Sequence, residues 1–140
     1  MLLTGKVYSD DRGLITYNNS FCASVIKRIY TIENHSLKFV RGWQGHKIEQ
    51  RWFAAMKGSF KVSVICIDNF ENPSIDLPIA TYTLTTSGLN ILHIPPGHIT
   101  AIQALEVDSK LLVMADYGLG EVKDEYRYPI DYFSGAAKNK

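Results

Sequence analysis

Short runs of β-branched and aromatic residues succeed one another through the middle of the chain, and small polar or glycine-containing breaks separate them. Residues 51–56 (RWFAAM), 60–68 (FKVSVICID), 79–86 (IATYTLTT), 90–94 (NILHI), 99–105 (ITAIQAL) and 110–116 (KLLVMAD) read as strands. Turn signals fall at Lys57-Gly58-Ser59, between Asp68 and Ser74, and at Thr86-Ser87-Gly88, Pro95-Pro96-Gly97 and Val107-Asp108-Ser109. Residues 7–17 and 25–32 also read as extended, and Asp131-Tyr132-Phe133 reads as the start of a short helix. No stretch keeps an apolar stripe at helical period for three turns. The pattern predicts an all-β sandwich or barrel. It forms one domain over residues 1–134, followed by a small basic tail at 135–140 that is expected to fray.

Residues 41–52 (RGWQGHKIEQRW) break the pattern by crowding titratable, amide and aromatic groups where neighbouring runs carry Val, Ile and Ala. Taken as one extended run, the segment alternates across its sheet. Gln44, His46, Ile48, Gln50 and Trp52 then share one face, and Trp43, Lys47, Glu49 and Arg51 share the other. If the first face lines a hollow, a histidine between two amides and a tryptophan forms a partly apolar pocket of the sort a small polar ligand needs. The plain alternative is a satisfied histidine on a polar strand.

Composition narrows the field. The chain has 140 residues, 46% of them hydrophobic and 21% charged, which is ordinary for one globular domain. Fifteen basic and fourteen acidic residues leave a net charge of +1, with no footprint for nucleic acid or an anionic membrane. No run of eighteen apolar residues offers a membrane span. Met1-Leu2-Leu3 is too short for a signal-peptide core. Cys22 and Cys66 lie far apart without a CxxC, which points to a reduced, cytoplasmic setting, with one disulfide as the alternative. Cys66, within Val64-Ile65-Cys66-Ile67, reads as a small buried hydrophobe. There is no serine or cysteine nucleophile constellation, phosphate loop or dinucleotide fingerprint.

An ordered set of motifs carries a family resemblance: Asp11-Arg12-Gly13, Ile26-Lys27-Arg28-Ile29-Tyr30, Arg41-Gly42-Trp43-Gln44-Gly45-His46-Lys47, Gly58-Ser59-Phe60-Lys61-Val62, Ile94-Pro95-Pro96-Gly97 and Asp131-Tyr132-Phe133. In this order the chain resembles the cupins that act on nucleotide-linked keto-sugars. These are the dTDP-4-keto-6-deoxyglucose 3,4-ketoisomerases and the related 3,5-epimerases. The resemblance implies a cupin-type jelly roll, an activity without metal or other cofactor, and a homodimer in which an N-terminal strand pairs with a neighbour. It also has gaps. Gln44 stands where the ketoisomerases carry the first histidine of His-x-His and where the epimerases carry their base. Thr100 stands where the epimerases carry a later histidine.

Metal-binding cupins would place ligands at Gln44, His46, Gln50 and Thr100, and only His46 is a good transition-metal donor. His46 and Glu49 form a His-x-x-Glu, but on one strand that spacing puts them on opposite faces. The resemblance instead implies keto-sugar chemistry that needs a base of near-neutral pKa and a cation beside an oxyanion. His46 is the candidate base. Gln44 and Gln50 are candidates for sugar hydroxyls, Trp52 for an apolar wall, and Tyr30 and Tyr82 for proton relay or stacking on the nucleobase. Arg41, Lys47 and Arg51 are candidates for the diphosphate. Arg51 is on the wrong face unless a bulge re-aims it, and Lys47 also reads as a solvated charge. His98, just after Pro95-Pro96-Gly97, is a candidate at the rim. His35 reads as exposed in a polar turn and His93 as packed.

The expected function is a metal-independent isomerase of a dTDP-linked 4-keto-6-deoxyhexose, moving the carbonyl between C4 and C3 for deoxysugar and surface-polysaccharide synthesis. Two alternatives stand beside it: a non-catalytic cupin that binds a nucleotide sugar, kept in play by Gln44, and a 3,5-epimerase variant, disfavoured by Thr100.

Overall fold

The computed structural model describes residues 1–134, so the expected frayed tail at 135–140 lies outside the described residues. Nearly every apolar run forms a strand. Among the described residues these are β1 (Leu2–Leu3), β2 (Lys6–Asp10), β3 (Gly13–Tyr17), β4 (Arg28–Ile32), β5 (Val40–His46), β6 (Arg51–Lys57), β7 (Phe60–Cys66), β8 (Ala80–Leu84), β9 (Ile91–Ile94), β10 (His98–Ala104), β11 (Lys110–Ala115) and β12 (Glu125–Arg127). Two five-stranded sheets result, ordered β1-β9-β6-β11-β4 and β12-β5-β10-β7-β8, with antiparallel pairing throughout. From β4 to β7, and again from β8 to β12, successive strands alternate between the sheets. This winding gives a cupin-type jelly roll, with two separate sheets in place of a closed barrel.

Phe53, Leu92, Leu111 and Val113 of the first sheet meet Phe60, Val62, Val64 and Ile102 of the second, filling one end of the space between them. The outer faces are covered as well. Trp43, Ile65, Ile99 and Ala101 pack under Phe133, while Trp52, Ala54, Ile91 and Met114 pack under Phe21, Leu3 and Ile26 from the N-terminal region. Strands buried on both faces carry continuous apolar runs, which is why the sequence shows runs more often than strict alternation.

Three expectations change. Residues 7–17 form a hairpin of β2 and β3 that pairs with neither large sheet. Asp131, Tyr132 and Phe133 adopt a turn and bends, and helical backbone begins just after them, at Ser134. Phe133 is fully buried, its ring edge-to-face with Trp43 at 5.6 Å. Cys66 is exposed because it closes β7 at the sheet's end, and both thiols are free.

Phe133 anchors the segment that follows β12, so Phe133→Ala is expected to cost about 3–5 kcal/mol. A denaturant midpoint within error of the parent would show that the outer cluster contributes little.

Candidate functional site

Residues 41–52 are not one run. β5 ends at His46, residues 47–50 turn, and β6 restarts the alternation at Arg51 in the opposite sheet. The turn resets which side chains point inward. Arg51 faces the space between the sheets together with His46, and Trp52 faces out. A bulge in β5 adds a second shift: Thr100 pairs with Gln44 but Ile102 pairs with Arg41, so β5 holds one residue more than β10 over this stretch. Arg41, Gln44 and His46 therefore line the same hollow.

That hollow, about 470 Å³ with its open mouth counted, is concave and partly apolar. Tyr30, Arg41, Gln44, His46, Arg51 and His98 supply its polar wall, and Ile32, Phe53, Ile94 and Ile102 its apolar floor. Glycines let the strands close around it. A Cβ on Gly45 would run into the backbone of His98 and Ile99. Gly97, at φ +80°, makes the turn that delivers His98.

Asp124, in the segment before β12, organises the imidazole. Its Oδ1 lies 3.0 Å from His46 Nδ1, and its Oδ2 accepts from the backbone N–H of Ile48 at 2.8 Å and of Glu49 at 2.7 Å. A carboxylate can only accept and a guanidinium can only donate. Nδ1 therefore carries the proton, and Nε2 accepts from Arg51 Nη2 at 2.8 Å. Arg51 Nη1 donates in turn to the Tyr30 hydroxyl, and Glu49 Oε2 holds the guanidinium at 2.5 Å. Glu49 Oε2 is also 3.5 Å from His46 Nε2, so the turn brings together the pair that a single strand would have separated. Burial pushes the Asp124 carboxyl up. The hydrogen bonds from His46, Glu49 and Ile48 outweigh that and hold it below its ordinary value.

Outside this hollow lies a wider, open cavity of about 880 Å³ where Arg28, Arg41, Arg51 and Arg127 converge. The Arg28 and Arg51 guanidiniums lie over the Tyr30 ring at 4.6 and 5.6 Å. Glu125 accepts from Gln44 at 2.8 Å and pairs with Arg127 at 2.7 Å.

The structure brings His46, Arg41, Gln44, Arg51, Tyr30 and His98 together and leaves four expected residues out. Lys47 is exposed on the turn. Gln50 is held outside by Asp116, at 2.8 Å to its backbone and 3.1 Å to its side chain, and by His93 at 2.7 Å. Trp52 stacks on His93 at 4.9 Å in the outer cluster. Tyr82, on β8, packs against the central core away from the hollow. Burial and the nearby N-terminal ammonium hold His93 below its ordinary pKa. His35 is exposed. Sequence reasoning missed Asp124 and Arg127 and set Glu49 on the wrong face. Recognising residues 47–50 as a turn would have recovered Glu49, whereas Asp124 carries no local signal.

Asp124→Asn is expected to lower stability at neutral pH by about 3 kcal/mol, since it weakens three hydrogen bonds to a charged acceptor. The folded-state pKa of Asp124 is depressed, so its contribution is present above the ordinary carboxylate range and fades as pH falls through the folded value. A denaturation series from pH 7 to pH 3 should therefore be flatter for the variant than for the parent; parallel curves would contradict this role.

The fold has counterparts among solved structures. A mutant of the 3,4-ketoisomerase QdtA from Thermoanaerobacterium thermosaccharolyticum, in complex with TDP-4-keto-6-deoxyglucose, superposes with a TM-score of 0.71 at 22% identity, covering 99% of this chain and 94% of that one. A 3,4-ketoisomerase from Helicobacter canadensis gives 0.71 at 20% identity, with 98% and 96% coverage. The dTDP-4-dehydrorhamnose 3,5-epimerase of Bacillus anthracis str. Ames, with TDP and PPi bound, gives 0.66 at 15% identity, with 94% and 74% coverage. No curated protein sequence matches. The family model described as FdtA: WxcM-like, C-terminal matches residues 6–136, and the chain belongs to that family.

Proposed function

We propose that the protein is a metal-independent isomerase of a nucleotide-linked 4-keto-6-deoxyhexose that moves the carbonyl between C4 and C3. One observation carries the reading: a single imidazole, with Nδ1 held by Asp124, sets Nε2 on the wall of an open-mouthed hollow next to a guanidinium. Family membership and the sugar-nucleotide ketoisomerases among the structural counterparts support the substrate class.

The steps follow from the chemistry. When the sugar enters, Arg51 leaves Nε2 for the C4 oxygen. Nε2 takes the C3 proton, the C–H electrons form the C3–C4 double bond, and the C4 oxygen becomes the oxyanion facing Arg51. A proton returned to C4, with the C3 hydroxyl proton passing to the C4 oxyanion, leaves the ketone at C3 and a hydroxyl at C4. The Tyr30 hydroxyl accepts from Arg51, so its own proton is free to serve this relay. Arg28, Arg41 and Arg127 at the open mouth suit the diphosphate. Gln44 and His98 face the sugar. The metal-free step accords with the donor set, because Gln44, Gln50 and Thr100 are poor transition-metal ligands.

Quaternary structure and location belong to the same reading. The β2–β3 hairpin pairs with neither large sheet, and Val7, Tyr8, Leu14 and Ile15 are 44–66% exposed. A second copy covers this apolar hairpin in a homodimer. The enzyme works in the cytoplasm on a dTDP-linked substrate.

Incubation with dTDP-4-keto-6-deoxyglucose in deuterium oxide tests the reaction: deuterium at C3 with a 3-keto product is expected. Label at C5 would mark an epimerase, and binding without exchange a non-catalytic cupin, the outcome Gln44 keeps open. His46→Asn is expected to slow exchange at least about 100-fold while TDP affinity stays within a few-fold. Exchange at the parent rate would remove His46 from the base role. For the assembly, Ile15→Lys should convert the dimer to a monomer in sedimentation; a variant that stays dimeric would refute the hairpin interface.

A further inference from the structure

The arginines around the site do not share one environment. The Arg127 side chain is 71% exposed, whereas that of Arg51 is only 13% exposed and lies against a carboxylate, Glu49, that is 6% exposed. Glu49 is fixed in turn, because its backbone N–H donates to Asp124 Oδ2 at 2.7 Å. Its Oε2 reaches Arg51 at 2.5 Å and stands 3.5 Å from His46 Nε2. Asp124, Glu49 and Arg51 thus surround one imidazole, with Tyr30 on the far side of the guanidinium.

An arginine has a long, flexible stem and follows the strongest accessible anion. Arg51 lines both the inner hollow and the outer, arginine-rich cavity, so a diphosphate arriving at the mouth competes for it. A buried carboxylate in low dielectric holds a cation far more firmly than a solvated phosphate does. We propose that Glu49 is a positioning residue that keeps Arg51 off the diphosphate and reserves it for the reacting sugar. The proposal rests on the isomerase reading for what Arg51 does at the sugar, but the tether itself is independent of any reaction.

The tether predicts a split that general structural damage cannot produce. In Glu49→Gln, Arg51 is free to reach the diphosphate, so TDP is expected to bind about threefold tighter, as one added exposed ion pair allows. The double variant Glu49→Gln/Arg51→Gln should lose that gain. C3 exchange in Glu49→Gln should meanwhile fall at least about tenfold, as when an oxyanion partner is misplaced, and Glu49→Asp should recover part of it. Calorimetric titration with TDP and deuterium exchange at C3 read the two arms. TDP binding that is unchanged or weaker in Glu49→Gln would overturn the proposal, as would a gain that survives in the double variant. If Glu49→Gln does not fold, Glu49→Asp carries the test: its shorter reach should give the same split at smaller amplitude, and unaltered values would overturn the proposal. Absence of C3 exchange in the parent protein would sink the isomerase reading and leave the TDP arm to decide on Glu49.

Discussion

One carboxylate on the segment before β12 ties the site together. Asp124 accepts from His46 and from two backbone N–H groups of the turn that follows it, and its carbonyl accepts from Lys47 N at 3.1 Å. Without such an acceptor the buried end of β5 would leave donors unsatisfied. With it, the turn takes one shape, the imidazole one orientation and β6 one phase. Every inward-facing group downstream, Arg51 above all, inherits its position from that bond set.

The amides and aromatics that look most chemical in the sequence divide into two jobs. Gln44 faces the hollow. Gln50 instead links Asp116 to His93, and His93 carries Trp52 on its ring and bonds the Met1 carbonyl through its backbone at 2.8 Å. The outward cluster thereby anchors the N-terminal strand at the edge of the first sheet, beside β9. Polarity in a buried strand marks a satisfied network as readily as a ligand site, and only the phase of the strand separates the two.

This is also where reading the chain succeeded and stopped. Runs such as 60–68 and 99–105 declare their strands because β-branched residues suit a pleated, doubly covered sheet. His46, Arg41 and Gln44 were legible as a group because they sit on one strand beside recognisable glycines. Gln50, Trp52 and Lys47 were misplaced because residues 47–50 lack the Gly, Pro or Asn that announces a turn; the turn is stabilised by a distant aspartate instead. Asp124 was invisible because its partners lie more than seventy residues away in sequence. Cys66 looked buried from its apolar neighbours, yet it stands at a strand end, where burial lapses.

The extra residue in β5 has a consequence for how such a chain can vary. Side chains on a strand keep to a two-beat rhythm, and the bulge inserts a third beat between Arg41 and Gln44. Deleting the extra residue would restore plain alternation and leave Arg41 opposite Ile102, still facing inward, whereas pairing the stretch without a bulge at its present length would turn Arg41 to the back of the sheet and bring Gly42 inward. The bulge at this point therefore acts as a chemical switch, deciding whether a guanidinium or the bare backbone of a glycine meets the hollow.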